Sequence, residues 1–270
     1  MPLLLKQRLS RVVEQTETNA LVSRLSAIQA MPGNPMEVEM KQYGQAIAFS
    51  AKQIPGPSFN KVKGLSDENI ESLDDILNFY GEREIPFQFE ITPNAASDSL
   101  FSAMAKRGLY QCGFHTSLYT ETLAKESASL DKRIAIRELN GDEFSIFANL
   151  YIKGFGLPDF TQKGIEENNA ILYGNERWKF YLALYNGQPA GVGVLFLHER
   201  IASLGAAAVI PEYRRKGIHQ ALIQKRLKFA SEHQAVLAVS QAGFNSMSHE
   251  NMERAGLGIA YTNAVWKKLL

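Results

Sequence analysis

The segment AAAVIPEYRRKGIHQALI, from Ala206 to Ile223, joins an Ala-rich stretch to a turn carrying Arg214, Arg215 and Lys216, a glycine at 217 and an amphipathic helix start. Gly217 admits backbone conformations closed to residues that carry a Cβ. Ile218, Ala221 and Leu222 begin the apolar face of the helix. Unpaired N–H groups at a helix start, aligned with the helix dipole, attract anions. Three cations beside them suit a pyrophosphate. Just upstream, Gly205 and Ala206 to Ala208 leave a strand's backbone open to a long thin ligand. Taken singly, an Ala-rich strand equally serves tight packing against a helix, and a basic turn is commonly just solvated.

These elements sit in a chain that alternates strands and helices. A helix is predicted from Leu3 to about Ile28, ending before MPGNP. AIAFS and FNKVKGL read as strands, SDENIESLDDILNFYG as one helix, PFQFEITP as a strand, SDSLFSAMAKRGL as a helix, and Tyr110 to Leu123 as a strand. Lys61 and Lys63 alternate along their strand, which places them on one solvated face. The polar link AKESASLDK, Ala124 to Lys132, is the best domain boundary, giving domains 1–125 and 126–270. After it come the strand IAIREL, two helical segments broken at GFGLPDF, and a hairpin turning at Asn186 and Gly187. The strand ASLGAAAVIP, the basic turn, the helix IHQALIQKRLKFASEH, the strand AVLAVSQ, the helix SMSHENMERAGL and the strand GIAYTNAVWKK complete the series. The halves end alike, AMAKRGL then a strand and NMERAGL then a strand, as a diverged duplication would.

Composition bounds the function. A chain of 270 residues holds about two domains. Lys and Arg number 29 against 28 Asp and Glu, so no charge excess recommends nucleic acid or an anionic membrane as a partner. A single cysteine, Cys112, excludes an internal disulfide and a Cys-based zinc cluster, and no metal is expected. The apolar run opening the chain is too short for a signal peptide or a membrane span, so a cytoplasmic protein is expected.

Taken in order, the strand, VIPEYR and the turn resemble the GNAT superfamily of N-acetyltransferases. The family's signature of Arg or Gln, two residues, Gly, one residue, then Gly or Ala falls on Arg214, Gly217 and His219. NSMSHENMERAGL resembles the family's second cofactor-side helix, with Asn245, Ser248 and Gly256 at its spacing. The whole chain is similar to a tandem subgroup with a degenerate first copy. The resemblance implies an α/β (α+β) fold of two GNAT-like domains, each a mixed, mostly antiparallel sheet flanked by helices. It implies an acetyl-CoA-dependent transferase acting on a primary amine of a small molecule or peptide. Backbone at Ala207, Ala208 and Val209 would hold the pantetheine arm. Arg214, Arg215, Lys216, Gly217, Ile218 and His219 would cradle the pyrophosphate, with Asn245 and Ser248 on the cofactor's other side.

Three departures bear on this. His219 stands where small residues approach phosphate, so its ring either points away or contacts phosphate itself. The family's glutamate base falls on Ser203, and its tyrosine acid on Met252. Of the two losses the base weighs more. Deprotonating a lysine-like amine at pH 7 costs about 4.6 kcal/mol, against about 2 kcal/mol for the leaving thiol. Glu199, near the central strand, is the candidate base acting through water, and Tyr261 the candidate acid. The competing reading is an acyl-CoA-binding protein without turnover, in a structural or regulatory role.

Overall fold

Helix α1 (Leu3–Gln29) opens the computed structural model, which describes residues 3–54, 56–121 and 131–268. Its Leu25 and Ile28 pack on Val38, Phe49 and Ala51. Strands β1 (Val38–Tyr43) and β2 (Ala46–Ala51) form a hairpin, and β3 (Lys61–Lys63) lies antiparallel to β2. A 3-10 turn (Asp67–Ser72) and α2 (Leu73–Gly81) lead to β4 (Gln88–Ile91), which is parallel to β3. Helix α3 (Asp98–Lys106) and β5 (Leu109–Thr120) follow. Val62, Leu73, Ile76, Phe89, Leu100 and Met104 form the core here.

The second series repeats this plan. Strand β6 (Ile134–Glu138), helices α4 (Phe144–Phe155) and α5 (Gln162–Ala170), and the antiparallel strands β7 (Trp178–Tyr185), β8 (Gln188–His198) and β9 (Ile201–Val209) come first. Asn186 and Gly187 both take positive φ, 50° and 77°, as a two-residue hairpin turn requires. Helix α6 (Ile218–Glu232) then leads to β10 (Leu237–Gly243), parallel to β9. Helix α7 (Met247–Arg254) and β11 (Gly258–Lys268) close the chain. Each series is thus an antiparallel meander ending in one parallel pair joined through a helix, the mixed architecture that the sequence implies.

The chain forms two compact units, Met1–Ser117 with Ile259–Leu270, and Leu118–Gly258. Strand β11 pairs antiparallel with β4, Ala264 against Ile91 and Trp266 against Phe89, and so belongs to the first unit. Leu118, at the end of β5, lies in the core of the second with Leu204, Met252 and Leu257. Strand β5 begins in the first unit, which holds it as far as Ser117, and its last residues belong to the second. Most of the expected link lies outside the described residues.

Other differences have local causes. Strand β1 went unread because its middle is exposed and carries Glu39 and Lys41, leaving Val38 and Tyr43 buried at its ends. The helix expected over 66–81 breaks at Asn69 (φ −132°), whose side-chain oxygen accepts from the Ser66 N–H at 3.0 Å. Lys63 does not face solvent. Only 4% of its side chain is exposed, and its Nζ lies 3.0 Å from Glu17 on α1 and 3.1 Å from Glu90 on β4. Lys61 takes Glu90's other oxygen. A buried ammonium is tolerable only with such partners. Those partners come from other elements, which strand alternation does not reveal.

Candidate functional site

In the second unit the parallel pair β9/β10 opens into a fork. Its register runs from Ile201 against Leu237 to Leu204 against Ser240 and goes no further, while β9 continues beside β8 to Val209. At the branching point the Ser240 hydroxyl donates to the Leu204 carbonyl at 3.0 Å. Beyond it lie Gly205 and three alanines, so little side-chain bulk borders the opening. Gly193 and its partner Ala207 share one face of the sheet, where a Cβ on Gly193 would meet Leu222 and Arg226 of α6. Ala208 lies on the other face, where Gly154 of α4 approaches so closely that a Cβ would stand 2.6 Å from that of Ala208. The two helices hold the edge of the fork from opposite sides.

Strand β9 ends in the basic turn. Arg215 (φ 59°) and Gly217 (φ 82°) both take the left-handed conformation, and α6 starts at Ile218, which is buried. No side chain caps this helix start, so its first-turn N–H groups face outward with Arg215, Lys216 and Gly217 exposed around them. An anion fits there, since the dipole and the free donors act together. Lys216 Nζ lies 4.9 Å from the Tyr185 ring centroid, and the Arg133 guanidinium lies 5.1 Å from the same ring. Arg133, already paired with Asp131, was not foreseen because it is far away in sequence.

The remaining candidates divide. Arg214 spends its guanidinium on backbone, donating to the Gly154 carbonyl at 2.8 Å and to the Val209 carbonyl at 3.3 Å, so it braces α4 against the end of β9. His219 points to α7, its Nδ1 accepting from the Asn251 amide at 3.2 Å. Burial, then the charge of Arg226, holds its pKa down at about 4, so the ring is neutral at pH 7. Asn245 (φ 58°) and Ser248 flank the start of α7, where the Asn245 N–H donates to His249 Nδ1 at 3.0 Å. His249, buried and unread in the sequence, shapes that turn.

Glu199 is not brought to the fork strand's open end. Glu199 occupies the β8–β9 turn with its side chain 80% exposed, 4.0 Å from His198. It precedes β9 at the closed end, seven residues before Ala206 and so roughly 20 Å away at about 3.3 Å per residue. Tyr261 lies in the first unit, where its hydroxyl donates to Glu17 at 3.3 Å and burial, with the charge of Glu17, pushes its pKa well up. Met252 is core. Among the described residues no cluster of three His, Cys, Asp or Glu could hold a metal, and no helix is long and apolar enough to cross a membrane.

The parallel strand pair thus forks beside an uncapped, basic helix start that suits an anion. Residues 136–256 match the model of the acetyltransferase (GNAT) family, and they form a domain of that family. The family uses acetyl-CoA, which makes acyl transfer the coarse activity of the domain. Solved structures extend the likeness of fold over most of the chain. A tandem GNAT protein from the clavulanic acid biosynthesis pathway is 12% identical with a TM-score of 0.63, covering 90% of this chain and 86% of that one. A GCN5-related N-acetyltransferase from Kribbella flavida is 11% identical with a TM-score of 0.61, covering 92% and 95%. One from Sphaerobacter thermophilus is 15% identical with a TM-score of 0.60, covering 84% and 82%. No curated protein matches the chain in sequence.

Proposed function

We propose that the second unit transfers an acetyl group from acetyl-CoA to a primary amine of a small molecule or peptide. One observation carries the reading: β9 parts from β10 at Leu204 and runs on, paired with β8 only, toward an uncapped helix start behind Gly217. The amide-rich pantetheine arm suits the exposed backbone of Ala207 to Val209. The pyrophosphate suits the N–H groups from Gly217 to His219, with Arg215 and Lys216 beside them and Arg214 bracing the turn. Asn245 and Ser248 would line the other side.

The chemistry is direct attack. The lone pair of the neutral amine forms a C–N bond at the thioester carbon, the C–S bond breaks, and the thiolate takes a proton from solvent as the amine nitrogen releases one. A strand N–H would polarise the carbonyl oxygen, and positioning would supply much of the rate. No side-chain base is needed for an amine that is already neutral.

The second reading, acyl-CoA binding without turnover, is favoured by Met252 lying in the core and Tyr261 donating to Glu17. Free thiol released from acetyl-CoA across a panel of amines separates the two. Amine-dependent release is expected; tight binding with no release by any amine would favour the binding protein.

A further inference from the structure

Arg226 on α6 is 0% exposed, and among the described residues the group that acts on its charge is the Tyr181 phenol, not a carboxylate. Buried charges in folded proteins are ordinarily paired, and this one is held by carbonyls instead. Its Nη1 donates to Val194 of β8 and to Gly205 of β9, each at 3.1 Å, and its Nε donates to Leu222 at 3.0 Å. Nη2 is buried without a protein partner. Burial lowers the pKa of the guanidinium to about 10, so it stays charged at neutral pH.

The place of those carbonyls gives the charge a use. The β8–β9 register shifts between Gly193 against Ala207 and Leu195 against Leu204, so Gly205 and Ala206 together oppose Val194 in a bulge. One nitrogen of Arg226, Nη1, donates to the carbonyls of both Val194 and Gly205, one on each strand of the bulge. The Leu204 carbonyl turns the other way, toward Ser240 on β10. In a trans peptide the C=O and the N–H point oppositely. The Gly205 carbonyl, directed at Arg226, therefore sends the Ala206 N–H toward the β10 side, just past the last paired residues. A charged donor on the carbonyl polarises that peptide and makes its N–H the stronger donor.

We propose that Arg226 is a positioning residue for acetyl transfer, polarising the Gly205–Ala206 peptide so that the Ala206 N–H takes up negative charge developing on the thioester oxygen. The inference rests on the acetyl-transfer reading. It assigns the buried guanidinium a part in the chemical step through the bulge, with no contact to substrate.

The test pairs kinetics with infrared spectroscopy of acetyl-CoA labelled with 13C at the thioester carbonyl. In the wild-type chain the bound carbonyl stretch should fall below that of free acetyl-CoA. In Arg226→Met the downshift should shrink and kcat should drop about tenfold or more, since losing an oxyanion donor outright costs about 100-fold or more. The KM for acetyl-CoA should stay within about twofold, and Arg226→Lys should recover part of both effects. Should Arg226→Met not fold, the same readouts on Arg226→Lys decide, with an intermediate loss expected. An unshifted carbonyl in a wild-type chain that turns over would overturn the role of Arg226 alone. Equal kcat in wild type and variant, or a loss confined to KM, would overturn it too. A wild-type chain that neither binds acetyl-CoA nor releases thiol would overturn the acetyl-transfer reading itself.

Discussion

At the scale of residues, the proposed transfer has neither the base nor the acid at the two positions where the family resemblance puts them, Ser203 and Met252. Ser203 stands on β9 where the family resemblance puts a glutamate, and Glu199 lies past the closed end of the strand. The amine must then arrive neutral. At pH 7 that costs about 1.4 kcal/mol for an α-amino group of pKa near 8 and about 4.6 kcal/mol for a lysine-like amine. Acceptors of low pKa should therefore react faster, and the rate should climb with pH along the acceptor's own ionisation. Glu199→Gln should leave that profile unchanged. A fixed acidic limb near pH 6 that vanishes in this variant would instead identify Glu199 as the base. The turn itself was legible in sequence, since Gly217 and three cations lie within four residues. The uses of Arg214 and Arg226 were not, because their partners at Gly154 and Val194 are 60 and 32 residues away.

At the scale of elements, the order of strands and helices could be read because turn residues mark nearly every junction. Strand β1 and the kink at Asn69 could not, since each depends on packing that local periodicity does not carry. Helices α6 and α7, which flank the proposed cofactor, are joined by His219 and Asn251. The bond needs a neutral ring, because a protonated Nδ1 would present a second donor to the Asn251 amide. Burial sets the direction of the shift: the folded-state pKa of about 4 lies below the unfolded value near 6.5. Between these values the unfolded chain holds a proton that the folded chain refuses. Stability should therefore fall as pH drops from about 6.5 to about 4. His219→Gln, which can still accept from Asn251, should flatten this part of the curve. Denaturant titrations at pH 7, 5 and 4 check it, and an identical slope in the variant would assign the loss to other groups.

At the scale of the whole molecule, two units of one plan differ at the corresponding place. In the first, the parallel pair β3/β4 matches Lys61 to Gln88 and Val62 to Phe89 and ends there, as β9/β10 ends at Leu204. The residues beyond are Lys63 and Glu90, locked with Glu17 of α1, which also accepts from Ser117 at 2.5 Å and from Tyr261. Removing one member of such a buried group would leave the others unpaired, at a cost of about 3–5 kcal/mol. A ligand is thus poorly placed to displace them. The helix start beyond is a short 3-10 turn carrying Asp67 and Glu68, which repel phosphate where Arg215 and Lys216 attract it. Sequence spacing exposed those carboxylates but not the buried cluster, whose Glu17 and Tyr261 are 244 residues apart. Titration calorimetry should therefore find one acetyl-CoA per chain. Gly217→Asp should abolish it, because a carboxylate would stand at the uncapped helix start. The fold should survive, since a non-glycine residue in the left-handed region costs about 1–2 kcal/mol and Asp is among the best tolerated there. Two sites per chain, or one that persists in the folded variant, would place a cofactor in the first unit and overturn the assignment of the two copies.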